Sequence, residues 1–159
     1  MSRFLPVRML VIAVAAGSLI AVPLAQGASA ATGTACTGAK TVTNVKTFKA
    51  TTTLTGCTNP AATGGKGTEV INFKNTNAIT ATITWNKTGT TLLKISEKSG
   101  PKVNKCPKGS LAEVVSTGSV TGGTGAALKG IPKGSKFSES VCYNSGNVVT
   151  LYPGSKVVI

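Results

Sequence analysis

The chain has 159 residues, 17 of them Lys or Arg against 4 Asp or Glu, no His, and a formal net charge of +13. Without His there is no Ser-His-Asp hydrolysis, and no zinc ligand set can be assembled from the cysteines, which lack CxxC spacing. Aromatic residues make up 4%, so a core must be built from Val, Ile, Leu and Ala.

In chain order, the first segment reads as a leader. Arg3 and Arg8 form a short positive region, Met9 to Val22 is apolar, and Ala28-Ser29-Ala30 is an A-x-A site. This is the pattern of a secretory signal peptide over residues 1–30, with cleavage expected after Ala30. The apolar run falls short of the ~20 residues of a comfortable membrane span. The arginines are not adjacent and no Cys follows the site, which argues against twin-arginine export and lipid attachment. Loss of Arg3 and Arg8 lowers the charge from +13 to +11, carried by fifteen lysines against Glu69, Glu97, Glu113 and Glu139. Residues 31–159 suit one domain.

The rest reads as strands and turns. Lys40 to Phe48 is an irregular first strand and Ala50 to Cys57 a clearer second. Thr58 to Gly67, with Asn59-Pro60 and Gly64-Gly65, is a loop. Gly65-Lys66-Gly67-Thr68 fails the phosphate-loop spacing, and no helix follows. Thr68 to Lys74 is a strand. Ile79, Ala81, Ile83 and Trp85 then alternate with Thr80, Thr82 and Thr84, the period of a strand with one buried face. Asn86-Lys87-Thr88-Gly89 turns the chain into Thr90 to Ile95, completing a hairpin that carries the only Trp. Asn86-Lys87-Thr88 also fits a glycosylation sequon, but hairpin chemistry accounts for it.

Ser96 to Pro101 reads as a polar loop, and Lys102, Lys105 and Lys108 crowd around Cys106. Glu113 to Thr121 is a strand and Gly122 to Gly125 a turn or bulge. Phe137, Glu139, Val141 and Tyr143 alternate with Lys136, Ser138, Ser140 and Cys142. Val148 to Tyr152 and Ser155 to Ile159 close the chain. Strands every 8–12 residues with turn signals between them predict an all-β antiparallel fold. The expected form is an immunoglobulin-like sandwich. Trp85 stands too far beyond Cys57 for the immunoglobulin Cys-Trp-Cys spacing. A small closed β-barrel is the second choice.

Cys36, Cys57, Cys106 and Cys142 make an even set in an exported chain, which predicts two disulfide bonds. Three pairings are open. Cys36–Cys57 and Cys106–Cys142 are favoured, because each closes a short segment of neighbouring strands. Each would stabilise by roughly 3–4 kcal/mol in the chain-entropy view.

Leu54-Thr55-Gly56-Cys57, Ile83-Thr84-Trp85-Asn86, Thr121-Gly122-Gly123 and Val141-Cys142 resemble segments of small, uncharacterised secreted proteins of actinobacteria. The resemblance implies a Gram-positive exported protein and brings no activity with it.

Function is bounded mainly by what is missing. No nucleophile elbow of G-x-S-x-G type occurs. Glu69, Glu97 and Glu113 sit among lysines near strand or loop ends and read as solvated charges. No catalytic residue, metal or cofactor is therefore expected, and the chain reads as non-enzymatic. The excess of lysine makes a long-range positive field. Lys102, Lys105 and Lys108, with Lys46 and Lys49 beside Phe48, are the candidate anion-binding residues. Lysine offers point charges, which suit loose contact with a polyanion. The expected role is a basic, secreted or loosely wall-associated protein of the cell envelope. Its expected partners are anionic wall polymers or an anionic membrane surface. The alternative is a secreted inhibitor or small-ligand carrier. Nucleic-acid binding lacks the aromatic platforms it would need, and a monomer is expected.

Overall fold

The structure is a computed structural model and describes residues 33–75, 78–99, 106–144, 146 and 148–159. The expected leader, Lys102 and Lys105 lie outside these residues. Among the described residues nine strands form: β1 (Ala35–Asn44), β2 (Lys49–Cys57), β3 (Lys66–Asn72), β4 (Ile79–Trp85), β5 (Gly89–Ser99), β6 (Ala112–Gly123), β7 (Lys136–Tyr143), β8 (Val148–Leu151) and β9 (Val157–Val158). Two short helices, α1 (Pro60–Thr63) and α2 (Gly125–Gly130), interrupt them.

Each strand from β1 to β8 pairs antiparallel with the next, and β8 returns to pair with β1. The fold is thus a closed, up-and-down barrel of eight strands. The immunoglobulin-like sandwich does not form; the second choice of the sequence reading does. The alternation of buried and exposed residues is the same in both architectures. What separates them is the β1–β8 seam, where Lys40, Thr41 and Val42 meet Thr150, Val149 and Val148. Closure leaves no long unpaired edge. Because β8 is short, β9 completes the ring at one end, pairing Cys36 with Val157 and Ser138 with Val158.

The interior is built by period two. β3 and β4 alternate without a break, so Gly67, Glu69, Ile71, Ile79, Ala81, Ile83 and Trp85 are buried while Thr68, Thr80, Thr82 and Thr84 face water. Eight strands enclose a space that side chains can just fill. The outer wall is rich in threonine and lysine, the reverse of a lipid-embedded barrel, whose outside is apolar. Among the described residues no helix is long and apolar enough to cross a membrane.

The two ends of the barrel differ. At one end the β2–β3 and β6–β7 connections carry α1 and α2, which close it. Ala62, Ala127, Ile131, Val157 and Ile159 are buried there with Leu54, Trp85 and Phe137. Gly130 lets the helices meet, since a Cβ at this position would collide with that of Ala62. Both ends of the described residues join the plug: Gly33 N–H donates to Gly130 O, and Ile159 N–H donates to Thr34 O. Thr88 Oγ1 donates to Ala62 O at 2.6 Å.

Trp85 anchors this end. Its Nε1 donates to Thr91 Oγ1 at 2.8 Å, which satisfies the buried indole N–H. The ring lies over Gly67, where an added Cβ would meet ring carbon Cε3 at 2.6 Å. Gly67→Ala is therefore expected to cost about 1–3 kcal/mol by overpacking. Urea unfolding checks this, and an unchanged midpoint would mean that the ring is not held against β3.

Several boundaries differ from the sequence reading. β1 spans Ala35–Asn44 where the sequence reading put a first strand over Lys40 to Phe48, and pairing with β9 orders its early start. β5 continues through Ser99, although Ser96 to Pro101 reads as a polar loop. Its pairing with β6 supplies the reason, since Glu97 opposes Ser116 and Lys98 opposes Val115. A bulge between Leu92 and Leu93 adjusts the register there. The disulfide bonds join Cys36 to Cys57 and Cys106 to Cys142. The first ties β1 to β2 and the second holds the return leg of the β5–β6 connection on β7. Such bonds suit an oxidising environment.

Candidate functional site

The end opposite the plug gathers the β1–β2, β3–β4, β5–β6 and β7–β8 connections. Between this mouth and the middle of the barrel lie three of the four acids. β3 brings Glu69, β7 brings Glu139 and β5 brings Glu97, each on the inward phase of its strand. The lateral register aligns Glu97, Ser116 and Glu139 on three successive strands. β3 and β7 stand on opposite walls of the eight-stranded ring, so Glu69 and Glu139 face each other across the interior.

Glu69 is fully buried and Glu139 is 8% exposed. The reading of Glu69 and Glu97 as solvated charges is thereby corrected: Glu69 is buried and Glu97 is half-buried. Glu113 is also only partly exposed. Charge outweighed alternation in that reading, yet each buried acid keeps the phase of its apolar neighbours. Glu139 falls between Phe137 and Val141, and Glu69 between Gly67 and Ile71.

Burial pushes the Glu69 carboxyl up to about 8, with the nearby Glu139 adding to it. Thr52 stands close enough to favour the ionised form. Even so, neither Glu69 oxygen has a hydrogen bond of acceptable geometry. The Thr52 hydroxyl is hydrogen-bonded to Thr41 Oγ1 at 2.9 Å. Burial also raises Glu139, to about 7; a Ser116 hydrogen bond opposes this and Glu97 reinforces it. Burial raises Glu97 as well. Tyr143, half-buried at the same end, is pushed up to about 12 by burial and then by Glu97 and Glu139. A buried carboxyl without a partner is far cheaper neutral than ionised.

Glu97 and Glu139 share a hollow with Thr41, Phe73, Ser116 and Tyr143. Its volume is about 10 Å³, room for roughly one water molecule. Among the described residues no group of three or more His, Cys, Asp or Glu could hold a metal ion.

Outside this layer the rim is basic. Lys46 and Lys49 lie on the β1–β2 hairpin and Lys74 in the β3–β4 connection. Lys98 is near the end of β5, and Lys108 is in the β5–β6 connection. All five are exposed. The structure thus brings Lys46, Lys49 and Lys108 to the same end, with Lys108 across the mouth from the other two. Lysine is not confined there, since Lys66, Lys87, Lys129, Lys133 and Lys156 are exposed at or near the plugged end. The open end is set apart by its inward-turned acids and by exposed apolar side chains, which the sequence reading missed apart from Phe48. Val45 and Leu111 lie at the rim beside these lysines, and both are exposed. The sequence reading held Val45 within a first strand from Lys40 to Phe48, whereas β1 ends at Asn44 and leaves Val45 in the turn.

No family model matches the chain. Comparison with curated proteins and with solved structures likewise found no match.

Proposed function

We propose that this is a non-enzymatic binding protein of the cell envelope or extracellular space, and that its open end engages anionic envelope material. The observation that carries this reading is the convergence of Lys46, Lys49, Lys74, Lys98 and Lys108 on one rim, with Glu69 and Glu139 withdrawn inside. Turning the acids inward removes the counter-charges that would otherwise shorten the reach of the lysine field. The hollow beside Glu97 and Glu139 is too small for a sugar or an organic ligand. That size supports the binding reading over a hydrolase working between these two carboxylates.

The test is binding of the chain from Ala31 onward to isolated cell walls and to polyphosphate at rising salt. Exposed charges are screened over ~8 Å at physiological ionic strength, so binding is expected to weaken steadily. Replacing Lys46, Lys49 and Lys108 with Gln is expected to weaken it more than replacing Lys66, Lys129 and Lys156. Equal losses would mean that net charge acts without a site. No binding at low salt would overturn the reading.

A further inference from the structure

The four most exposed large apolar side chains among the described residues are Val42, Val45, Phe48 and Leu111, at 57%, 60%, 60% and 73% exposure. All four stand toward the open end. Toward the plugged end the described residues show Leu92, Leu128 and Val158, at 42%, 36% and 45%. Val45 and Phe48 share a tight turn with Lys46 and Lys49. Asn44 Oδ1 accepts from the N–H groups of Lys46 and Thr47, at 3.1 and 3.3 Å. Phe73 N–H donates to Phe48 O at 2.9 Å. Phe48 adopts φ 51°, a left-handed conformation that costs a residue with a side chain. The turn is thus held in place while its ring points into water.

A polyanion in solution would satisfy the lysines and leave Val45 and Phe48 wet. A partner that fits the whole rim must offer negative charge and an apolar phase side by side. An anionic bilayer does so, since its headgroups meet lysines while the acyl boundary a few ångströms deeper takes apolar side chains. Exposed apolar residues ringed by charge of one sign are the surface such a partner selects. We infer that the open end docks on an anionic lipid bilayer, with the Val45–Phe48 turn entering the headgroup boundary and Lys46, Lys49, Lys74 and Lys108 on the headgroups.

This rests on the open end being the binding end and names its partner. The test uses the chain from Ala31 onward with phosphatidylglycerol–phosphatidylcholine vesicles, phosphatidylcholine vesicles and polyphosphate. Binding is expected to the anionic vesicles and not to the neutral ones. Val45→Ser with Phe48→Ser is expected to weaken vesicle binding by about tenfold or more, from the lost apolar burial. The same variant keeps its affinity for polyphosphate. Lys46→Gln and Lys49→Gln are expected to weaken vesicle binding by about fivefold each, and polyphosphate binding as well. Phe48→Trp adds a reporter whose emission shifts to the blue on anionic vesicles, against the constant signal of buried Trp85. The serine variants change exposed side chains, so an unchanged unfolding midpoint confirms that the fold persists. Vesicle binding unaffected by the serine variants, or binding to polyphosphate alone, would overturn the bilayer inference and leave the polyanion reading standing. Failure to bind vesicles, polyphosphate or walls at low salt would overturn both.

Discussion

Trp85→Ala is expected to destabilise the protein by about 3–5 kcal/mol, the range for removing a buried Trp from a core. The ring is 2% exposed and packs at the plugged end with Leu54, Ile83 and Phe137. Two losses add. The apolar contacts vanish from a site whose backbone neighbours, held in paired strands, cannot collapse into the space. Thr91 Oγ1 also loses the donor that reaches it from the indole, leaving a buried hydroxyl with one partner fewer. Urea unfolding followed by far-ultraviolet circular dichroism measures the effect, since the substitution removes the only Trp. A loss below about 1 kcal/mol, the scale of an ordinary surface substitution, would show that the plug is held by other contacts. Trp85→Phe separates the two losses, because it keeps most of the volume and removes the N–H.

The second large effect is a fall in stability as pH rises. A carboxyl whose pKa is raised by folding holds its proton more tightly in the folded chain than in the unfolded one. The stabilisation from that proton is complete below the ordinary glutamate value of 4.5 and is lost as pH climbs through the folded values, about 7 for Glu139 and about 8 for Glu69. Most proteins lose stability in acid as paired carboxylates are protonated; here two interior acids are unpaired or nearly so, and the trend reverses. The expected loss between pH 5 and a pH above 8 is several kcal/mol, since each unit by which folding raises a pKa is worth about 1.4 kcal/mol. Glu69→Gln is expected to flatten the curve, matching the natural chain in mild acid and exceeding it in alkali. Unfolding midpoints across this range decide the matter. A stability that holds level or rises toward alkali would mean that the carboxyls are solvated or paired.

These two predictions draw on parts of the molecule that differ in how readily the sequence shows them. The β4 face could be read directly, because Ile79, Ala81, Ile83 and Trp85 alternate with threonines and nothing competes with that phase. The β7 face was equally plain, with Glu139 set between Phe137 and Val141. Its meaning was not, since one charged residue on an apolar face is usually assigned to water. Glu97 was harder still. Ser96 and Lys98 make the segment look like a loop, and only pairing with β6 carries β5 through it. Barrel closure depends on contacts between β1 and β8, at opposite ends of the described chain, and no local pattern encodes them. The rim lysines were picked out by sequence proximity, but Lys108 joins Lys46 and Lys49 through topology alone.

Both the pH trend and the lysine rim depend on one condition: two acids sit inside the barrel near neutrality, out of reach of the surface charge. The chain from Ala31 onward has four Glu and no Asp, so its carboxyl carbon spectrum holds four side-chain signals and one from the C-terminus. Following these signals by nuclear magnetic resonance from pH 3 to 9, with Glu69→Gln and Glu139→Gln for assignment, is the most direct measurement. The expected result is that the Glu69 and Glu139 signals keep the shift of a neutral acid through pH 6 and move together near pH 7–8, as a facing pair. Ionisation of both near pH 4–5 would contradict a barrel that hides its acids and presents lysine.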